Sequence, residues 1–194
     1  IPPFRLFKSG KLMEDVMDMI LLNVRVPEER RGDYNAQIAS NKLGIKRCLD
    51  LIKKWGPKNI DEGCDVIIKS VAKRTRKSVS NLPDGTYTFE DIVDDDGLSR
   101  KNIVLKVSIT VKKDQIIFDF SGTDPQVEGN NNVTMAGLQA CCLYCIKVLL
   151  DPDCPQNHGM LDPISIIAPE GTIVNAAFPS ACLLYTSPSP RDLS

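Results

Sequence analysis

Ile103, Leu105, Val107, Ile109 and Val111 alternate with Lys106, Ser108, Thr110 and Lys112. Successive side chains of a β-strand point to opposite faces, so this stretch specifies a strand with one apolar and one wet face. Residues 86–93 and 115–120 read as flanking strands, and the short links at 94–100 and 113–114 favour an antiparallel meander. A meander with one apolar face needs a helical layer to cover it, which argues for a single unit over separate helical and sheet lobes.

Helical periodicity supplies that layer. After an extended start and a turn at Ser9 and Gly10, Met13, Val16, Met17 and Ile20 predict a short amphipathic helix to about Leu22. A longer helix is expected from Asp33, as N-cap, to Trp55, burying Ile38, Ile45, Leu49 and Ile52 before Gly56 and Pro57 stop it. A third is expected from Ile60 to Arg76, with an apolar face of Ile60, Cys64, Ile67, Ile68 and Val71. Beyond the sheet, residues 134–150 predict a buried helix, followed by a loop and a strand near Ile164 to Ala168. The class is α+β, a helical N-terminal half packed with an antiparallel meander, then a buried helix and a further short strand.

With 24 Lys plus Arg against 25 Asp plus Glu, the net charge of −1 gives no general attraction to nucleic acid or anionic membrane. The longest apolar runs fall well short of the ~20 residues that span a bilayer. Seven cysteines without a disulfide pattern fit reduced thiols in a cytoplasm. Cys142 and Cys145, with Cys141 beside them, sit in a nearly all-apolar helical run and read as buried small hydrophobes.

Other short signals carry little. Asp94, Asp96 and Gly97 echo a calcium loop, but with the glycine sixth the first and twelfth places fall on Ile92 and Ile103, so a solvated hairpin turn is the reading. The KRTRK run at 73–77 reads as a solvated helix end, and the RGD at 31–33 precedes a helix in a chain without disulfide spacing. His158 is the only histidine and reads as a surface residue of a Pro/Asn loop.

The chemistry is concentrated in IIFDFSGTDPQVEGNNN, residues 116–132, where a strand runs into a loop of acids, hydroxyls and amides. Period-2 geometry places Asp119 and Ser121 on one side of the strand end, and Gly122, Pro125 and Gly129 turn the chain. Asp119, Ser121, Thr123 and Asp124 are the candidate catalytic residues, expected to gather at the strand end and face a concave surface. No His or Lys base is evident beside them in sequence, so a hydrolase triad is unsupported. The competing account is a turn that these side chains merely hold together.

That segment, with RVPEERRGDYNAQIASNKLGIKR at 25–47, LPDGTYTFEDIVDDDG at 82–97 and LLDPDCPQNHG at 149–159, resembles the hydantoinase B/5-oxoprolinase family. The similarity runs to about Ala181, departing at Cys154, where an aliphatic residue is expected, and at His158, where Glu or Gln is more usual. The resemblance implies a B component of an ATP-dependent enzyme that opens cyclic amides such as hydantoins or 5-oxoproline, or of a related ketone carboxylase. It implies a hydantoinase A-type partner that handles ATP, a small-molecule substrate, and a divalent metal whose ligands would lie upstream of Ile1. The chain carries no phosphate-cradling glycine loop, in keeping with ATP handling by the partner, and the resemblance carries no metal ligand over to it, so no bound cofactor or metal is expected on it. A noncatalytic interaction domain with a structural DFSGT loop is the alternative.

The resemblance also implies that residues 1–181 are an internal portion of such a domain. Residues 182–192 read CLLYTSPSPRD, the string obtained by translating a transposase mosaic-end sequencing adapter, so 182–194 are expected to be a non-native tail.

Overall fold

The computed structural model describes residues 4–24 and 26–181, and the expected tail at 182–194 lies outside them. The fold is α+β. Its contacts divide the chain into two compact units, residues 1–63 and 64–194. The division falls inside a helix and does not separate helices from sheet.

In the first unit, β1 (Phe7–Lys8) and β2 (Lys11–Leu12) form a hairpin whose two turn residues, Ser9 and Gly10, have φ of 50° and 78°. Positive φ at both places matches the right-handed twist of the flanking strands. Helix α1 (Glu14–Leu21) buries Met17, Ile20 and Leu21, the stripe its periodicity predicts. Helix α2 runs Pro27–Trp55 with Val26 at its N-cap. It begins before Asp33 because Pro27 presets φ at the first helical position and has no N–H left unpaired, while Glu28 and Glu29 complement the positive end of the helix. Asp33 is instead an in-helix partner of Arg30 at 2.9 Å. Arg31 of α2 ties to Asp18 and to Glu14 of α1. The expected burial of α2 is overturned, since none of its residues is buried and Ile45 and Leu49 are 62% and 59% exposed. Periodicity says which residues share a face, not whether anything covers it.

Helix α3 (Pro57–Val79) runs across the division, and in the second unit it buries Val71, Thr75 and Val79. Ile67 and Ile68, expected in its buried face, are 58% and 36% exposed, because the covered stripe lies one to two turns later. The meander is as expected: β3 (Gly85–Asp95) pairs antiparallel with β4 (Lys101–Lys112), which pairs antiparallel with β5 (Gln115–Asp119). β6 (Ile164–Ile167) then lies parallel to β5. A parallel neighbour needs a long crossover, here carrying α4 (Met135–Leu150).

Thr134 caps α4, accepting the Gly137 N–H at 3.4 Å. The helix is covered on one face only: Leu138, Cys142 and Ile146 join Ile103, Val111, Ile116, Phe118, Val71 and Val79 in the core, while Tyr144 and Leu149 are exposed. Removing such a side chain from water is worth about 1.5–3 kcal/mol. The cysteine reading is corrected in the same way. Cys142 is buried, with its thiol pushed up to about 12 by burial and by Cys145 and Cys141 nearby, whereas Cys141 and Cys145 are exposed.

The KRTRK run is not a merely solvated helix end. Arg74 binds Asp151 through Nε at 2.5 Å and a second nitrogen at 2.6 Å, and Arg76 reaches Asp162 at 2.6 Å and Asp114 at 3.0 Å. These bonds raise both guanidinium pKa values and fasten α3 to the loops around α4 and β5.

Candidate functional site

β5 ends at Asp119, directly opposite Ser108 on β4. Asp119 therefore projects from the sheet face that carries Ser108 and Lys106, away from the face of Phe118 and Ile116. The carboxylate folds over the next turn: Oδ1 accepts the Ser121 N–H at 2.9 Å and the Ser121 Oγ–H at 2.5 Å. These two bonds, the hydroxyl first, outweigh partial burial and hold Asp119 below the usual carboxylate range. The pair is an ionised carboxylate with one oriented hydroxyl, and Ser121 is exposed.

Thr123 and Asp124 go elsewhere. Thr123 is buried, its Oγ1 accepting the Lys106 N–H at 3.1 Å and donating to the Lys106 carbonyl at 2.9 Å. Asp124 Oδ2 accepts the Val104 N–H at 2.9 Å and meets Arg100 at 3.3 Å, while its own N–H donates to the Val104 carbonyl at 2.9 Å. Once β5 has ended, these two residues satisfy the edge groups of β4 that a longer strand would have paired. The four candidates thus split into an outward pair and a pair committed to the backbone. Cavities of about 410 and 200 Å³ open elsewhere, lined by Asp18, Leu21 and Arg31 and by Ile68, Lys69 and His158 among others.

Two further residues build the loop. Asp96, expected in a solvated turn, is only 4% exposed. Burial raises its pKa, but the N–H groups of Leu98, Arg100 and Gly129 outweigh that and leave it lowered. Its Oδ1 takes Leu98 and Arg100 at 3.0 Å each, and its Oδ2 takes Gly129 at 3.3 Å. Asn132 is fully buried, with Oδ1 accepting the Val127 N–H at 2.8 Å and Nδ2 donating to the carbonyls of Val127, Gly129 and Ala181 at 2.8, 3.0 and 2.9 Å. Asn132, Val133 and Thr134 spell a glycosylation acceptor, which this burial closes to modification. The partners of Asp96 and Asn132 lie up to 49 positions away, so only their side-chain type was visible in the sequence.

Among the described residues no cluster of three or more His, Cys, Asp or Glu is placed to hold a metal ion.

The hydantoinase B/oxoprolinase family model matches residues 1–191. A putative D-/L-hydantoinase B-type subunit of a Pseudomonas species is 30% identical over 91% of this chain and 32% of its own length. The 5-oxoprolinase 1 of Arabidopsis thaliana is 31% identical over 90% of this chain and 16% of its own length. The crystal structure of an ATP-dependent caprolactamase from Pseudomonas jessenii shares the fold, with a TM-score of 0.82 and 24% identity over 94% of this chain and 31% of the caprolactamase chain. The chain spans about a third or less of the length of each of these proteins. With the strand-to-loop segment, the helices and the mixed sheet all inside the matched region, the chain belongs to the hydantoinase B/oxoprolinase family.

Proposed function

We propose that this chain supplies part of the B component of an ATP-dependent, cytoplasmic hydrolase that opens cyclic amides of the hydantoin or 5-oxoproline type, working with a hydantoinase A-type subunit or domain. The observation that carries this is the family match over residues 1–191, together with relatives named as a B-type hydantoinase component and as 5-oxoprolinase. No helix among the described residues is long and apolar enough to cross a membrane.

Amide resonance makes the ring bond hard to break, and ATP supplies a phosphate leaving group at the amide oxygen. The described residues hold no cluster of three or more metal-ligating side chains, and no step here runs through a metal. What Asp119 and Ser121 offer is orientation. A carboxylate held below its usual range is a poor proton acceptor at neutral pH, so Asp119 serves to aim the Ser121 hydroxyl, and a water beside it, at an activated carbonyl. Thr123 and Asp124 support that pair by fixing the loop to β4.

The test is Asp119→Asn in the complete enzyme with its A-type partner, on hydantoin and on 5-oxoproline. Turnover per folded molecule should fall by roughly 100-fold with the melting temperature little changed. Unchanged turnover with a lowered melting temperature would favour the other reading, a noncatalytic interaction domain with a structural DFSGT loop. Turnover of a ketone with bicarbonate in place of cyclic amides would move the parent to the carboxylases.

A further inference from the structure

From Ala39 to Trp55 every residue of α2 is exposed, yet this length of helix is not polar all round. Ile38, Ile45 and Ile52 recur every seven residues, and Asn41, Cys48 and Trp55 follow each of them by three. Those are the a and d places of a heptad, and Leu49 widens the same stripe between Ile45 and Ile52. The stripe runs for about 27 Å, and Ile45, Leu49 and Trp55 along it are each more than half exposed. A continuous apolar stripe on a helix is stable in water only when another surface covers it.

The charges say what kind of cover fits. Residues 39–55 carry Lys42, Lys46, Arg47, Lys53 and Lys54 against Asp50 alone. The ion pairs of the first unit use Arg30, Arg31 and Lys58, and among the described residues none of those five cations meets a carboxylate, that of Asp50 included. Lys42 stands over the Phe7 ring at 5.8 Å, and the hairpin that carries Phe7 adds Lys8 and Lys11 but no acid. With 3.6 residues per turn, Lys42, Lys46 and Lys53 fall within about 40° of one another along one border of the stripe, while Arg47 and Lys54 lie on the far side. A second copy of α2 would set this basic border against itself, so self-pairing is opposed.

The relatives point to the source. This chain covers 31% of the caprolactamase chain and 32% of the hydantoinase B-type subunit, so in proteins of that length about two thirds of the polypeptide lies outside the part to which α2 belongs. We propose that this face of α2 is covered by an amphipathic helix from the portion of the parent B component that this chain does not span. Its apolar residues would pack on Ile38, Ile45, Leu49 and Ile52, and its Glu or Asp residues would face Lys42, Lys46 and Lys53. The inference rests on the chain being part of a longer B component, and not on which reaction that component performs.

Trp55 is the only tryptophan and Cys48 lies within the stripe, so both report on the cover. The first probe is a synthetic helix of about 21 residues, free of Trp and Cys, with Leu at a and d and Glu at e and g. Added to the 194-residue chain, it should shift the Trp55 emission to the blue saturably, with a Kd of about 1–50 μM that weakens about fivefold between about 50 and about 500 mM salt. The same helix with Lys in place of Glu should bind about tenfold more weakly or worse. Ile45→Ser and Leu49→Ser should each weaken the Glu helix by about fivefold, and Lys42→Glu, Lys46→Glu and Lys53→Glu combined should reverse the preference to the Lys helix, with far-UV circular dichroism unchanged as a check of folding. Equal binding of the two helices, no binding of either, or self-association of the 194-residue chain that Ile45→Ser abolishes would overturn the proposal.

The second probe tests the source through timed alkylation of Cys48. The thiol should react within minutes at about pH 8 in the 194-residue chain, and about tenfold or more slowly in the complete B component at about 1 μM without its A-type partner. Equal rates, or protection that appears only when the A-type partner is added or the concentration raised, would sink the intramolecular cover. Turnover enters neither readout, so a failure here is separate from a failure of the hydrolase assignment.

Discussion

The Asn132 carboxamide closes a reciprocal pair with the backbone of Val127, accepting its N–H and donating to its carbonyl, both at 2.8 Å. Asn132→Ala strands those groups and removes the bonds to Gly129 and Ala181 in a site with no access to water. The expected loss is about 2–4 kcal/mol, read as a fall in the urea midpoint with an unchanged slope. A loss within about 0.5 kcal/mol would show that the loop does not depend on this residue.

Acid should unfold the chain through specific carboxylates. Asp96, Asp119 and Asp151 all lie below the ordinary Asp value in the folded state. For a depressed folded pKa, the stabilisation is complete above the unfolded value of about 3.9 and is lost as pH falls through the folded value. Urea midpoints should therefore be level from about pH 7 to 5 and drop below about pH 4. Asp96→Asn should start lower at neutral pH and show a shallower acid decline, and an acid decline as steep as that of the parent chain would remove Asp96 from this role.

Gly129 and Gly159 are required by close approach. A Cβ at Gly129 would lie 2.0 Å from the Asp96 carbonyl oxygen, and one at Gly159 would lie 2.1 Å from that of Ile68. Both obstacles are backbone, so Gly129→Ala and Gly159→Ala should each cost about 3 kcal/mol, whereas Gly63→Ala, with open space around it, should be stabilising or neutral. Equal melting temperatures for the three variants would contradict these contacts.

Thiol reactivity should divide the CxxC run. Cys141 and Cys145 are exposed and should be alkylated within minutes at about pH 8, while Cys142, pushed up to about 12 by burial, should react only on unfolding. Peptide mapping after timed alkylation reads this directly, and Cys142 labelling alongside Cys141 would mean that α4 is not seated as described.

Sequence alone determined the local elements wherever one periodicity was long and clean. The alternation from Ile103 to Val111 specified β4 and its apolar face, Thr134 marked the start of α4, and Ser9 with Gly10 marked the first turn. It also singled out Asp119 and Ser121, although they meet through the turn after β5, where an Asp carboxylate reaches the residue two positions on, and not through a shared strand face. Tertiary structure decided what no local pattern encodes. The stripe of α2 was legible but not its exposure, since burial depends on a second surface arriving from elsewhere in the chain. The acids of the turn at 94–96 were legible as a turn but not as a buried Asp96, and the arginines of the KRTRK run were legible as a helix end but not as clamps on Asp114, Asp151 and Asp162. For the Asp96–Gly129 bond and for the arginine clamps the partner lies more than thirty positions away, where only the folded chain brings a donor to within about 3 Å of its acceptor.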